Sequence, residues 1–342
     1  MIILHSLFGF NIRCISVHTR DVVLEKTVII ISVYDRLKHI KQCLESLEAA
    51  VGCNNYHVIV GSDSSATEED SDKIDNLREY LLNKENNNGF KKLSVIYHKK
   101  NVGQGSNMKA CDLLAKSYGY DSFIFMEDDV VVGTYFLNFM QEGLKRFASD
   151  EHVIAINGYL DPNIKTNNLN PFLFNEFSAY GFASWYKKWD YFEKRRISNN
   201  YAAEVLSNTN LFKEHAKFSL NAKSYPFMAE NFYEAADIAT CLMMDIEGLW
   251  VLVPPVSLTA NKGLDGSGLR SGVNVALQAV NPYPDKVVFP KTSDIRSFKY
   301  DDIKNVTGIK NRTANWYSFI IYKYIPFGYA ILKRLRKIKK IF

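Results

Sequence analysis

"TVIIISVYDRLKHIKQCLESL", Thr27 to Leu47, changes period half-way along. Thr27 to Val33 is a β-branched run of the kind found in strands buried on both faces. After Tyr34 the apolar residues fall at Leu37, Ile40, Cys43, Leu44 and Leu47, which is helical spacing, and Asp35 stands where it can cap that helix. The unit repeats outward along the chain. "HVIVGSDSS" (57–65) is a second strand ending in a polar loop, and the charged stretch from Thr67 to Asn88 reads as a surface helix and loop. A third strand over Leu93 to Tyr97 leads into "KNVGQGSNMKACDLLAK" (100–116), a glycine-bearing loop followed by a helix. A fourth strand opens "FIFMEDDVVVG" (123–133). Strand and helix in alternation predict an α/β fold with a mostly parallel sheet covered by helices on both faces. Ligands of such sheets bind beyond the carboxyl ends of the strands. Asp35, Asp63 and the acids Glu127, Asp128 and Asp129 all fall at that edge.

The chain has 342 residues, 47% hydrophobic and 23% charged, ordinary for a globular protein with a sizeable core. A net charge of +5 is too small to argue for nucleic acid, and none is expected as a partner. Five scattered cysteines without CxxC spacing point to reduced thiols, not to disulfides or a zinc site. The apolar start, "MIILHSLFGFNIRCIS", has no basic n-region and is too interrupted to span a bilayer, so residues 1–26 read as an N-terminal apolar segment. Past about residue 160 the texture becomes aromatic and less regular ("FSAYGFASWYKKWDYF", 177–192). A strand over Leu249 to Val253 and the loop "NKGLDGSGLRSG" (261–272) follow. Two lobes of one domain, 27–160 and 161–312, fit this pattern, with 313–342 as a tail.

Adjacent carboxylates repel and are costly to desolvate, so Glu127-Asp128-Asp129 beside a buried strand needs a reason. Acids can favour a helix dipole, but Val130 to Gly133 separate these from the helix expected over Tyr135 to Phe147. A structural salt-bridge cluster is a second account. A divalent cation held by hard oxygen donors beside a phosphate-bearing ligand is a third.

Four segments in order, "VYDRLKHIKQCLESL", "VGSDSS", "MEDDVVV" and "NKGLDGSG", resemble the nucleotide-sugar glycosyltransferases of the GT-A fold, spanning about residues 27 to 275. The likeness is closest to bacterial family 2 and extends to the N-acetylglucosaminyltransferase I group. It implies a Rossmann-like nucleotide-sugar lobe, an acceptor-side lobe and a donor that is a nucleoside-diphosphate sugar, a UDP-sugar being favoured. It also implies Mn²⁺ or Mg²⁺ as cofactor and inversion at the sugar carbon. Carried over residue by residue, Tyr34 and Arg36 lie in the first strand–helix turn and Asp63 accepts from the base. Asp128 contacts the ribose, Asp129 holds the metal, and Glu127 pairs with Arg36. In "MAENFYEAADIATCLMMDIEGL" (228–249) the resemblance places Glu234 as general base where the family usually has Asp, with Asp237 as the alternative. Gly181 and Trp185, or Tyr180, match the glycine–aromatic segment beside the donor sugar. Gly266 and Arg270 lie in a loop suited to cover the diphosphate, where the family often has His in place of Arg270, and Lys109 could reach phosphate.

In the tail, Ile331, Leu332, Leu335, Ile338, Ile341 and Phe342 share one helical face, and six lysines and arginines fill the other. Such a C-terminal amphipathic helix suits an anionic membrane surface, here the cytoplasmic face of the plasma membrane, and with it a lipid-linked glycan acceptor. Two rival classes are a non-catalytic nucleotide-sugar or membrane-binding protein and a sugar-1-phosphate nucleotidyltransferase. The second would carry a glycine- and arginine-rich loop after its first strand, and "SVYDRLKH" has none.

Overall fold

The computed structural model describes residues 26–162, 164, 170–216, 225–230, 236–268, 273–299, 317, 319–321 and 323–325. At its centre lies β1 (Thr27–Val33), parallel on one side to β2 (His57–Ser62) and on the other to β4 (Ser122–Glu127), with β3 (Lys92–Tyr97) parallel to β2 beyond. Beyond β4 the sheet continues through β8 (Phe182–Trp185), β6 (Val153–Asn157), β9 (Trp250–Val253), β7 (Phe172–Phe174) and β11 (Ser297–Phe298). β8 is antiparallel to both of its neighbours, and β7 is antiparallel to β9. A separate ribbon pairs β5 (Val130–Val132) with β10 (Thr259–Asn261).

Alternation along β1 sorts the helices. Ile29 and Ile31 face α1 (Leu37–Glu48), α2 (Ser71–Asn86) and α4 (Phe136–Phe147). Val28 and Ile30 face α3 (Gly103–Ser117), α5 (Tyr186–Ser198), α6 (Tyr201–Ser207) and α9 (Ala236–Glu247). Val28, Ile29 and Ile31 expose no surface, which at about 1.5–3 kcal/mol per buried aliphatic side chain makes this strand a large contributor to stability. This is the expected mostly parallel sheet with helices on both faces. Short helices α7 (Thr209–Ala216), α8 (Tyr225–Glu230) and α10 (Val275–Gln278) complete the described residues.

Two local expectations change. Arg36, not Asp35, occupies the cap position of α1, and the Asp35 carboxylate instead lies 3.8 Å from Lys73 Nζ on α2. The start of the 313–342 tail packs on the domain: the fully buried Phe319 stacks on Phe212 of α7 with ring centroids 4.3 Å apart. Lys323 Nζ donates to Thr209 Oγ1 at 2.8 Å. The amphipathic stretch 331–342 and the N-terminal segment 1–25 lie outside the described residues. Among the described residues, no helix is long and apolar enough to cross a membrane.

The strand order β3-β2-β1-β4 reverses direction between β1 and β4. Polar residues follow both strands there, Asp35 and Arg36 after β1 and Asp128 and Asp129 after β4, at the switch-point crevice where α/β sheets take their ligands.

Candidate active site

The crevice brings Arg36, from the turn after β1, against the acids that follow β4. Arg36 grips Asp128 with two nitrogens, Nη2 to Oδ1 and Nε to Oδ2 at 3.3 Å, and its Nη1 lies 2.8 Å from Asp129 Oδ2. The expected Arg36–Glu127 pair is replaced by this arrangement, and strand alternation is the reason. Glu127 ends β4 on the same face as Phe123 and Phe125, which is the α3 side, and there Gln104 Nε2 donates to Glu127 Oε1 at 3.4 Å. Asp128 turns the other way, toward α1.

Two carboxylates thus face one guanidinium, with the Glu127 carboxyl behind them. Burial, then repulsion from Asp129 and Asp128, pushes the Glu127 carboxyl up to about 7. Burial also carries Asp128 to about 7 against the pull of Arg36. The Arg36 guanidinium is itself partly buried, yet Asp128 and Asp129 hold its pKa above the usual value. Asp129 Oδ1 is buried and has no hydrogen-bond partner. An orphaned hard oxygen in an excess of negative charge fits Mg²⁺ or Mn²⁺. Among the described residues no group of three or more His, Cys, Asp or Glu side chains is placed to hold a metal ion.

The β5–β10 ribbon carries "NKGLDGSG" (261–268) onto the acids. The Lys262 N–H donates to the Asp129 carbonyl at 2.8 Å, and Lys262 Nζ ties the loop to the carbonyls of Gln278 and Val280. Gly263 packs so closely that a Cβ there would stand 1.9 Å from Asp129 Oδ2 and 2.8 Å from Arg36 Nη1. Gly266, with φ of +85°, makes the turn beside the Asp265–Val273 bridge. Arg270 lies outside the described residues.

Other expected residues divide. Asp63 is at the crevice but buried, and its carboxylate accepts the N–H groups of Ser64, Val102 and Gly103 at 2.8–2.9 Å, stapling the end of β2 to the start of α3. Tyr34 braces the same loop: its hydroxyl donates to Asp70 and accepts from the Ala66 N–H. Lys109 is exposed on α3, where its charge bears on Asp112. Gly181, with φ of +84°, leads into β8 and packs on Thr259 and Phe136.

Trp185 is not brought to the crevice. It pairs with Ser122, at the opposite end of β4 from Glu127, about 16 Å away at ~3.3 Å per residue. Its ring is buried under Lys188 Nζ, 3.7 Å from the centroid, and that ammonium also caps α4 by donating to the Phe147 and Asp150 carbonyls. Tyr180 takes the place beside the site. Burial first, then the charges of Glu127, Asp129 and Asp237, pushes its hydroxyl up to about 12. Tyr180 is therefore near enough to feel Glu127 and Asp129 as well as Asp237, which stands in the first turn of α9. Glu234 lies outside the described residues.

A family model for glycosyl transferase family 2 matches residues 28–215, more than half of the chain. The chain belongs to glycosyl transferase family 2. The family 2 match covers β1, the Asp63 loop, the acid triplet and Tyr180. Among solved structures, the chain is similar to the mannosyltransferase PcManGT from Pyrobaculum calidifontis in complex with GDP-Man and Mn²⁺. Identity is 12%, with 67% of this chain and 55% of that chain covered, at a TM-score of 0.38. It is also similar to S. aureus TarS 1–349 in complex with UDP-GlcNAc, at 18% identity, 42% and 38% coverage and a TM-score of 0.29. Likenesses this distant carry no argument about substrate, and this family 2 chain spans only about half the length of the mannosyltransferase. A search of curated protein sequences gives no match.

Gln104 and Lys262 are site neighbours that sequence patterns did not single out. Gln104 follows from the position of α3 behind β4, and Lys262 from the loop path after β10.

Proposed function

We propose that the chain transfers a sugar, with inversion, from a nucleoside-diphosphate sugar to a glycan acceptor, using one Mn²⁺ or Mg²⁺ ion. The observation that carries this is the unpartnered, buried Asp129 Oδ1 at the β1–β4 switch point, beside two further acids and a single guanidinium. Asp129 would hold the cation, which when bound stabilises the charge that builds on a departing diphosphate. Arg36 fixes the Asp128 carboxylate, leaving Asp128 in place to receive a ribose hydroxyl. The loop at Gly263 keeps water off the same carboxylates. Tyr180 presents a ring and a neutral hydroxyl at the donor sugar, in place of Trp185.

On the acceptor side, an acid at the start of α9 takes the proton of the attacking hydroxyl. Asp237 is the described candidate, because its charge reaches the same tyrosine as the triplet does; Glu234 is the other. The acceptor is a lipid-linked glycan met at the cytoplasmic face of the plasma membrane. The basic stretch 331–342 and the exposed Tyr317, Tyr324 and Ile325 just before it support that reading. UDP-sugars are the first donors to try. A thermal-shift screen of UDP-, GDP-, CDP- and dTDP-sugars with Mn²⁺ tests the proposal. One nucleotide class should raise Tm in a metal-dependent way, and no stabilisation by any donor would refute it.

A further inference from the structure

The glycine loop over Asp129 needs a fixed support, and α1 supplies one. His39 is 5% exposed, on the buried face of α1 with Ile40 and Cys43. A buried imidazole is costly without a polar partner. Its Nε2 lies 3.2 Å from Asp265 Oδ2, two residues beyond Gly263. The other Asp265 oxygen accepts the Ser267 N–H at 3.0 Å and the Ser267 hydroxyl at 2.6 Å, so the carboxylate is oriented from both sides. Three residues before His39, on the same helix entry, Arg36 holds Asp128 and Asp129. One rigid platform therefore grips the acids with one side chain and the loop that covers them with another.

We infer that His39 is a positioning residue: through Asp265 it pins the 261–268 loop so that Gly263 stays against Asp129 and Asp129 Oδ1 keeps the direction a donor-bound cation requires. The inference rests on the metal-dependent donor reading, but the pinning itself can be measured without any ligand. Loss of the contact loosens a loop whose other ties include the Lys262 N–H to Asp129, the Lys262 ammonium to the carbonyls of Gln278 and Val280, the Asn274 N–H to the Leu264 carbonyl and the Asp265–Val273 bridge. Asp129 then loses its close neighbour and its side chain gains rotamers.

The test uses the full chain and four variants: His39→Ala, Asp265→Ala, the double variant, and His39→Gln, which keeps a donor near Nε2. Hydrogen exchange without ligand should rise about 10-fold over residues 261–268 in each single alanine variant and no further in the double, since both remove the same imidazole–carboxylate contact. Calorimetry with UDP, GDP, CDP and dTDP, each with Mn²⁺, should show the metal-dependent affinity falling about 10-fold in the same variants. His39→Gln should stay within about 3-fold of the parent. Unchanged exchange in the loop, or additive effects of the two alanines, overturns the pinning. Faster exchange with unaltered nucleotide affinity overturns the role in donor binding. A parent chain that binds none of the four nucleotides with Mn²⁺ defeats the donor reading itself, and the exchange data then show separately whether His39 holds the loop.

Discussion

Replacing Gly263 with alanine puts a methyl group 1.9 Å from Asp129 Oδ2, 2.7 Å from Asp129 Cγ and 2.8 Å from Arg36 Nη1. An ordinary carbon–oxygen approach is about 3.3 Å, so about 1.4 Å must be recovered by rotating the carboxylate, moving Arg36 or lifting the loop. Gly263 is not among the positive-φ glycines, so the backbone itself accepts alanine, and the conflict is confined to the acids. Forcing a side chain ~30° off its rotamer costs about 0.5–1.5 kcal/mol, small beside the stability of a domain this size. A misplacement of about 1 Å at a reacting centre can cost about 100-fold in rate. The expectation is therefore an uneven split: kcat/KM for transfer falls about 100-fold while Tm moves by no more than about 3 °C. Steady-state kinetics beside scanning calorimetry reads both. Gly105 on α3 is the control, because nothing lies within 4 Å of a Cβ there. Gly105→Ala should raise stability by about 0.5–1 kcal/mol through helix propensity and leave transfer untouched. Full activity in Gly263→Ala would refute the placement of this loop on the Asp129 carboxylate.

Three further outcomes follow from the same geometry. Trp185→Phe should lower Tm without changing the donor KM, whereas Tyr180→Phe should raise the donor KM at nearly constant Tm; the reverse pattern would return Trp185 to the donor site. Burial first, with the Asp245 and Asp237 charges adding, lifts the Glu176 carboxyl to about 8 from its ordinary 4.5. The folded chain then holds a proton that the unfolded chain has released between those values, so stability falls as pH rises through that window. Glu176→Gln should flatten the decline in Tm between pH 5 and pH 9, and an identical profile would remove Glu176 as its source. Phe319→Ala should cost about 3–5 kcal/mol in urea unfolding, as expected for a fully buried ring, if the tail's first turn is part of the core.

Strands β1, β2 and β4 can be read from sequence because strands buried on both faces become continuous apolar runs, and Thr27–Val33 has the same bounds in sequence and structure. β8 cannot. Its four residues sit inside an aromatic segment, and only the antiparallel pairing with both β4 and β6 makes "FASW" a strand. That pairing also decides the fate of Trp185, since the direction of β8 sends it to the far end of the sheet. The acids at the strand end were visible from their cost, but which of them would meet Arg36 was not. It depends on the half-turn between Glu127 and Asp128, which residue spacing leaves open. Asp63 falls at the expected edge, while two of its three backbone partners, Val102 and Gly103, come from a loop some forty residues away. His39 carries a faint signal, a polar residue beside Ile40 on an otherwise apolar face, but its partner Asp265 lies far along the chain.

Uptake of Mn²⁺, followed by EPR of the free ion, is the most direct measurement, made on the parent chain and on Asp129→Asn with and without the stabilising nucleotide. The parent should take up one ion per chain only when the nucleotide is present, and Asp129→Asn should take up none at the same concentrations. Equal uptake by both proteins, or nucleotide binding indifferent to the metal in the parent, would contradict a cation held at Asp129.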